Sequence, residues 1–550
     1  MSLADRTPAG GWRWVFFATI VLYALVYAPY GINETDGGFL TGLAWQVLQG
    51  KVLYHDLVYV RPPLPVWLRA LQLHWLPIPW AILGERWIFY GQVALYSWLA
   101  AATLTTGRSR WQLATFGFVV SVHCYPAAAW HTVDGILCAV LAAWLLFQMP
   151  GRWGSMAAGA ALFAALLCKQ SFYPLLVFAP IAAYFSPQRW RAVAGLLAGF
   201  SACTALFFNY LYQNDLISGF LRLTNGAANS GQAWQHGVVD YFRIQPVLAV
   251  LSVALLMPVI AWFWRGRSSR LACVTWLVWL ILLMGSYALA IWYHQDFSPP
   301  FAQSRLLFWL AAGYWIGRII QSRRSVPPVA APLFPPAFGL LLAVSWCAAV
   351  SWGYNLPILF ATPGVWAALD ISRQLQAGLR SSGWRGRSDW MIGLALIALL
   401  SLFRWGYEFV YRDGQRSAMT EELGSIFPAL RGIRSDAETA ALYRDLRSLT
   451  ARYGPNCKTL PAFPQANFLT NTPSPLPLDW VVTREMNADS AFVLDAFRQE
   501  KPVLLLEKRY LAAILTDPQL TLVRRMMQEA VQLEETSFFL VMQYGDRADD

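Results

Sequence analysis

Apolar positions along this chain come in long unbroken runs, with polar positions gathered in the short stretches between them. Ala192–Leu211, Leu271–Trp292 and Ala331–Val350 are three such runs. A helix of about 20 residues covers the roughly 30 Å of hydrocarbon in a bilayer, so each run predicts a membrane-spanning helix. The first span runs from about Trp14 to Tyr30. No small-residue cleavage site follows it, and it reads as an anchor rather than a removed signal. Residues 31–85 form a long loop with two amphipathic helices, one over Gly38–Gln49 and one after Pro63. Helices follow near 86–106, 111–128 and 131–149. The stretch 155–186 crosses twice or dips and returns, because Lys169, Gln170 and Pro174 interrupt it. Further spans fall near 192–213, 244–264, 271–293, 304–320, 331–351, 355–370 and 390–410. The total is about 13.

Beyond residue 410 the chain is more charged, and turns interrupt its hydrophobic pattern. Asp436–Tyr453 predicts a helix with Ser435 as N-cap, and Pro461–Pro477 a proline-rich loop. Pro502–Leu506 predicts a buried strand, Thr521–Gln532 a helix and Ser537–Gln543 a last strand. The expected fold class is therefore a polytopic α-helical membrane protein. Residues 1–410 form its transmembrane domain and 411–550 a small α/β domain outside the membrane.

Composition agrees. Of 550 residues, 57% are hydrophobic and 13% charged, where soluble chains carry about a quarter charged residues. A net charge of +11 raises nucleic acid as a partner, but its distribution excludes a basic face. Arginines cluster between apolar runs, at Arg108–Arg110, Arg152, Arg189–Arg191, Arg265–Arg270, Arg323–Arg324 and Arg373–Arg387. That is the signature of cytoplasmic loops. It places the N-terminus inside and the last domain outside. The seven cysteines are scattered, six of them in apolar runs, with no disulfide framework or metal-binding pair.

Membrane helices avoid ionisable groups, so those present are candidates for function. Most carboxylates of the membrane half map to the outer ends of helices, among them Asp36, Asp56, Asp134 and Asp296, as do His55, His131 and His294. Lys169 sits inside an apolar run. Acids and bases thus gather at one face. Three segments of the first loop stand out: Asn33-Glu34-Thr35-Asp36-Gly37-Gly38-Phe39, then Gly50-Lys-Val-Leu-Tyr54-His-Asp56, then Val60-Arg61-Pro62-Pro63-Leu64.

These segments resemble the GT-C membrane glycosyltransferases, in the branch of the protein O-mannosyltransferases and lipid A aminoarabinose transferases. That branch carries an acidic motif after its first helix, a helix ending in Gly-x-x-x-Tyr-x-Asp and a basic-Pro-Pro-Leu segment. Asp36, Gly50, Tyr54, Asp56, Arg61, Pro62 and Pro63 match in order and spacing. His131-Thr-Val-Asp134-Gly is similar to the family's second aspartate motif, and Leu167-Cys-Lys169-Gln170 to its Thr-Lys-Gly break. Gly37 stands where relatives have a second acid, and Val60 where the aminoarabinose branch has a glutamate. A divalent cation therefore lacks a clear ligand set, and the cofactor question stays open.

The resemblance implies an inverting transferase in a bacterial inner membrane, with its last domain in the periplasm. It would move a sugar from a polyprenyl phosphate to a lipid, glycan or protein acceptor. Such transfer needs a carboxylate to deprotonate or orient the acceptor hydroxyl, and cations to hold the phosphate as the leaving group gains charge. Asp36 is the candidate base, and Asp134 positions the acceptor or balances the cations. Arg61, Lys169 and Arg305 are candidates for the phosphate, with arginine suited to bidentate contact. Glu34, Tyr54, Asp56 and His131 are candidate substrate contacts. Each has a plainer reading. Asp36 could cap the amphipathic helix, Arg61 could snorkel, Lys169 could pair with Asp134, and Asp134 could cap its own helix. Arg305 could be an interfacial anchor, and His131 a polar interface residue. A flippase of lipid-linked saccharides is a second class and would show inverted repeats, which the sequence lacks. A polysaccharide polymerase or ligase is a third. It would carry a large late outer loop, and here those loops are short.

Overall fold

The computed structural model describes residues 10–122, 127, 128, 130–225, 235–244, 246–265, 270–294, 301–324, 334–350, 357–381, 397, 400–404, 406–408, 410, 413–486 and 489–545. Its first part is helical: α1 (Gly10–Val26), α2 (Asp36–Leu48), α3 (Leu64–Trp75), α4 (Ala81–Leu104), α5 (Gly107–Val122), α6 (His131–Gln148), α7 (Arg152–Cys168), α8 (Leu175–Tyr184), α9 (Trp190–Gln213), α10 (Ile217–Asn225), α11 (Pro246–Arg265), α12 (Arg270–His294), α13 (Phe301–Arg324), α14 (Phe334–Val350) and α15 (Thr362–Ser381). Among the described residues two of these, α6 and α9, are long and apolar enough to cross a membrane, and several shorter helical stretches are apolar.

The surface of these helices explains their composition. On α9, Leu206 is 70% exposed, and on α11 Val247 is 72% exposed, with Val250, Leu251, Val253, Met257 and Ile260 exposed beside it. A face of that extent in water would associate or aggregate. In hydrocarbon it is the expected exterior of a membrane protein. Where helices meet each other, small residues replace large ones. A methyl group on Gly159 of α7 would lie 2.0 Å from the Leu196 carbonyl oxygen, and one on Gly199 of α9 would lie 1.9 Å from that of Met156. The two backbones touch, as apolar helices do when packing rather than hydrophobicity joins them.

Several expected boundaries move, each for a local reason. Helix α1 stops at Val26, because Tyr30 is drawn into a bridge with Arg434. The interruption in 155–186 is real: α7 ends at Cys168, Lys169 is extended at φ −165°, and a 3-10 turn over Gln170–Phe172 leads to α8. The span expected over 355–370 is a 3-10 turn, Pro357–Phe360, followed by α15. Asp370 does not end that helix, because the Tyr314 hydroxyl and the Gln374 amide both donate to its carboxylate. Much of the span expected over 390–410, and Asp296, lie outside the described residues, as does the His294 side chain.

The C-terminal region combines strands β1 (Glu421–Glu422), β2 (Arg434–Ser435), β3 (Cys457–Leu460), β4 (Val503–Glu507), β5 (Ala530–Glu535) and β6 (Phe539–Tyr544) with helices α16 (Ala437–Tyr453), α17 (Ala466–Leu469), α18 (Ser490–Glu500), α19 (Leu511–Thr516) and α20 (Thr521–Gln528). The main sheet has the order β3-β4-β6-β5, parallel between β3 and β4 and antiparallel elsewhere. Two expectations are corrected. Asp436, not Ser435, caps α16, accepting a hydrogen bond from the Thr439 amide at 2.8 Å. The helix expected over Thr521–Gln532 ends at Gln528, because β6 offers a ladder that Ala530–Glu535 joins as an edge strand.

The C-terminal region rests on the first loop. Lys458 and Ser474 both bond to Asp479, the Gln46 amide of α2 donates to Asp479 at 2.7 Å, and Lys51 Nζ donates to the Ser474 carbonyl at 2.6 Å. This buried polar network ties α2 to the strand region. It holds the end of the loop that carries most candidate residues.

Candidate active site

The start of α2 shows which residue caps it. Asn33 Oδ1 accepts from the backbone amides of Asp36 (2.6 Å) and Gly37 (3.4 Å) and from the Thr35 hydroxyl (2.9 Å). Asn33 therefore performs the role that Asp36 was offered as its plainer reading. The Asp36 carboxylate, buried in the first turn, does not cap its own helix.

After α2 the chain reverses through Gly50 (φ +92°) and Tyr54 (φ +69°). Asp56 closes this turn: its carboxylate accepts from the Val52 amide at 2.8 Å and meets His55 Nδ1 at 2.7 Å. Asp56 is partly exposed; burial alone would raise its carboxyl, but the bond from the Val52 amide and the contact with His55 together hold it below the ordinary value. Tyr54 donates its hydroxyl to the Arg61 carbonyl at 2.7 Å and sets its ring edge-on to Phe220. Both motif residues shape the loop that presents Arg61.

Arg61 carries the centre of the site. Its guanidinium lies over the Phe39 ring at 5.2 Å and forms a two-pronged pair with Glu485, Nη1 to Oε2 at 2.5 Å and Nη2 to Oε1 at 2.8 Å. Burial alone would raise the Glu485 carboxyl, but Arg61 foremost among its neighbours draws it below the usual carboxylate range. This is not a snorkelling arginine reaching for water.

Lys169 approaches from the break between α7 and α8. Its ammonium donates to Thr132 Oγ1 at 3.1 Å, at the start of α6. The next residue, Gln170, donates to the Val60 carbonyl at 2.7 Å, which fixes the break beside Arg61. The Lys169 ammonium senses the charges of Arg61, Glu485 and Asp36, and Arg61 in turn senses Asp36. Three segments distant in sequence thus bring Asp36, Arg61 and Lys169 together. Asp134 is partnered otherwise. Trp130 occupies the cap position of α6, and the Asp134 carboxylate accepts from Gln92 Nε2 at 2.6 Å. Neither the Asp134 cap nor a direct Asp134–Lys169 pair is what the described residues form.

Two buried side chains next to this cluster are unsatisfied. The Tyr59 hydroxyl and both ring nitrogens of His131 have no hydrogen-bond partner among the described residues. Each is about 1% exposed. Tyr59 feels Arg61 and Glu485, and His131 feels Lys169 and Arg61. Leaving such a group unmatched costs about 1–3 kcal/mol, a penalty that a bound polar ligand would remove.

Two remaining candidates are placed elsewhere. Glu34 faces the C-terminal region, where Arg509 lies 3.4 Å from it and 2.6 Å from Glu507. Burial raises both carboxyls, that of Glu507 to about 7. Arg305 donates to the Arg243 carbonyl and sits by Asp240 and Tyr241, not by the cluster. A cavity of about 230 Å³ adjoins Tyr54, between Lys51, Trp67, Tyr210, Leu211 and Leu216, and the cluster does not line it. Among the described residues no three of His, Cys, Asp and Glu form a group able to hold a metal. Glu485 and Tyr59 are the functional candidates that sequence reading missed. Glu485 sits in a short turn with no motif around it, and Tyr59 within the apolar run Leu57–Val60.

No protein-family model and no curated protein matches the chain. Among solved structures, it is similar over 98% of its length to ArnT from Cupriavidus metallidurans bound to undecaprenyl phosphate, with 12% identity, 98% of that chain covered and a TM-score of 0.44. It is similar over the same share to the archaeal oligosaccharyltransferase AglB from Archaeoglobus fulgidus in complex with an inhibitory peptide and a dolichol-phosphate, with 12% identity, 75% of that chain covered and a TM-score of 0.45.

Proposed function

We propose that the chain is an inverting glycosyltransferase of the outer face of a bacterial inner membrane, taking its sugar from a polyprenyl phosphate. The observation that carries this reading is that Asp36, Arg61 and Lys169 lie close enough to act on one another's charge, beside Tyr59 and His131, whose polar atoms have no partner among the described residues. In the proposed reaction Asp36 accepts the proton of the acceptor hydroxyl. The acceptor oxygen bonds to the anomeric carbon as the bond from that carbon to the phosphate oxygen breaks. The lipid phosphate leaves with the electron pair, and Arg61 and Lys169 stabilise the charge it gains. Tyr59 and His131 hydrogen-bond the sugar or phosphate.

The membrane half through residue 410 is the catalytic domain in this reading, with about 13 spans and a cytoplasmic N-terminus. Residues 411–550 form a periplasmic domain. The acceptor is a lipid, glycan or protein exposed at that face. Deleting the gene in its host and weighing the surface glycans by mass spectrometry tests the reading. Loss of one sugar's mass from one glycan, restored by the wild-type gene, is expected. An unchanged glycan profile refutes it.

A further inference from the structure

The bond between Arg61 and Glu485 raises a question of charge. A phosphodiester and a carboxylate both carry a single negative charge, and both match the planar fork of a guanidinium. In the structure that fork is already taken by Glu485, through both terminal nitrogens. Glu485 is 3% exposed, and Arg61, its guanidinium over the Phe39 ring, is mostly buried with 20% of its side chain exposed. A phosphate added while Glu485 stays would place an extra unmatched anion in a buried site, at a severe penalty. A phosphate exchanged for Glu485 leaves the charge of the site unchanged.

The turn that bears Glu485 is held on its other side. The Thr483 hydroxyl donates to the Gln519 carbonyl at 3.1 Å, and the Arg484 amide donates to Gln519 Oε1 at 3.1 Å. Trp480, just before the turn, sets its ring edge-on to Phe39 at 5.7 Å. The backbone is thus fixed from both flanks, and release of Arg61 needs only rotation of the Glu485 side chain.

The geometry points to Glu485 as a placeholder for the donor phosphate: it closes on Arg61 while the site is empty, and a lipid-linked phosphate displaces it. This rests on the transferase reading and adds to it a role for the C-terminal region. That region supplies the competing anion, so the site stays charge-matched and closed until donor arrives. Glu485 is a gating residue, not a participant in the transfer.

The test is binding of the methyl ester of undecaprenyl phosphate, a phosphodiester with a single negative charge, to the purified full-length protein in nanodiscs, with Glu485→Gln, Glu485→Asp, Arg61→Gln and the Arg61→Gln/Glu485→Gln double variant. Glutamine keeps the shape and removes the competing charge, so Glu485→Gln is expected to bind about tenfold tighter than wild type, near 1.4 kcal/mol. Glu485→Asp, too short for the two-pronged pair, falls between. Arg61→Gln binds weakly, and adding Glu485→Gln to it gives no gain. Wild-type binding that depends on Arg61 but is unchanged or weakened by both Glu485 variants overturns the placeholder and leaves the transferase reading standing. No binding by any of the proteins overturns both.

Discussion

A methyl group at residue 42 should pry the C-terminal region from the loop it covers. The Cβ of Gly42→Ala would lie 2.2 Å from the Pro464 carbonyl oxygen and 2.9 Å from Asp479 Oδ2. Ordinary contact is near 3.5 Å, so the Pro464 segment must retreat by about 1 Å. It cannot do so freely, because Asp479 is bonded to Gln46, Lys458 and Ser474 in the same buried network. Overpacking of this kind costs about 1–3 kcal/mol. Even 1–2 kcal/mol shifts a closed–open equilibrium by a factor of about 5–30. Where reclosing outpaces cleavage, proteolysis follows that open population. Limited proteolysis of the protein in nanodiscs should therefore cut the junction near residue 413 at least fivefold faster in Gly42→Ala than in wild type. Gly91→Ala, on an exposed face of α4 with nothing within 4 Å of the added methyl, is the matched control and should leave the rate unchanged. Equal rates for Gly42→Ala and wild type would refute the close docking of α2 against residues 461–480.

Three further outcomes follow from individual side chains. Tyr59→Phe removes a hydroxyl without a partner, so the melting temperature should hold or rise while transfer falls several-fold, consistent with one lost ligand hydrogen bond of about 0.5–1.5 kcal/mol. A drop in melting temperature with normal transfer would contradict the ligand role. Glu507, fully buried and raised to about 7, is more stable protonated, so its contribution is complete below its unfolded value near 4.5 and fades as pH rises through 7. Glu507→Gln should match wild type at pH 4.5 and exceed it at pH 8 by on the order of 3 kcal/mol, read by thermal unfolding, and a variant less stable at pH 8 would reverse the sign of the argument. Asp56→Ala loses the turn bond to the Val52 amide and the exposed contact with His55, and should cost about 1 kcal/mol of stability with transfer intact. Abolished transfer would return Asp56 to the site.

What the sequence disclosed follows from the range of the forces involved. Lys169-Gln170 and Pro174 break an apolar run, and the break is where the chain is extended, because a helix with those residues in hydrocarbon loses both burial and hydrogen bonds. The α2 helix was legible from its spacing, although its true cap, Asn33, lay three residues before the acid that drew attention. The Tyr54 and Asp56 motif was visible as a pattern, but its bonds to the turn and to the Arg61 carbonyl were not. Glu485 left no trace, since its meaning depends on Arg61 more than 400 residues away. The same holds for Ala530–Gln532, expected as the end of a helix and recruited as a strand by β6.

The central claim is that Asp36 removes a proton from an acceptor at a site where Arg61 and Lys169 hold the donor phosphate. It is tested most directly by restoring the deletion strain with Asp36→Asn or with Asp56→Asn, at equal protein levels, and measuring the surface glycan by mass spectrometry. The account predicts that Asp56→Asn restores the missing sugar and Asp36→Asn does not. Full restoration by Asp36→Asn would contradict it.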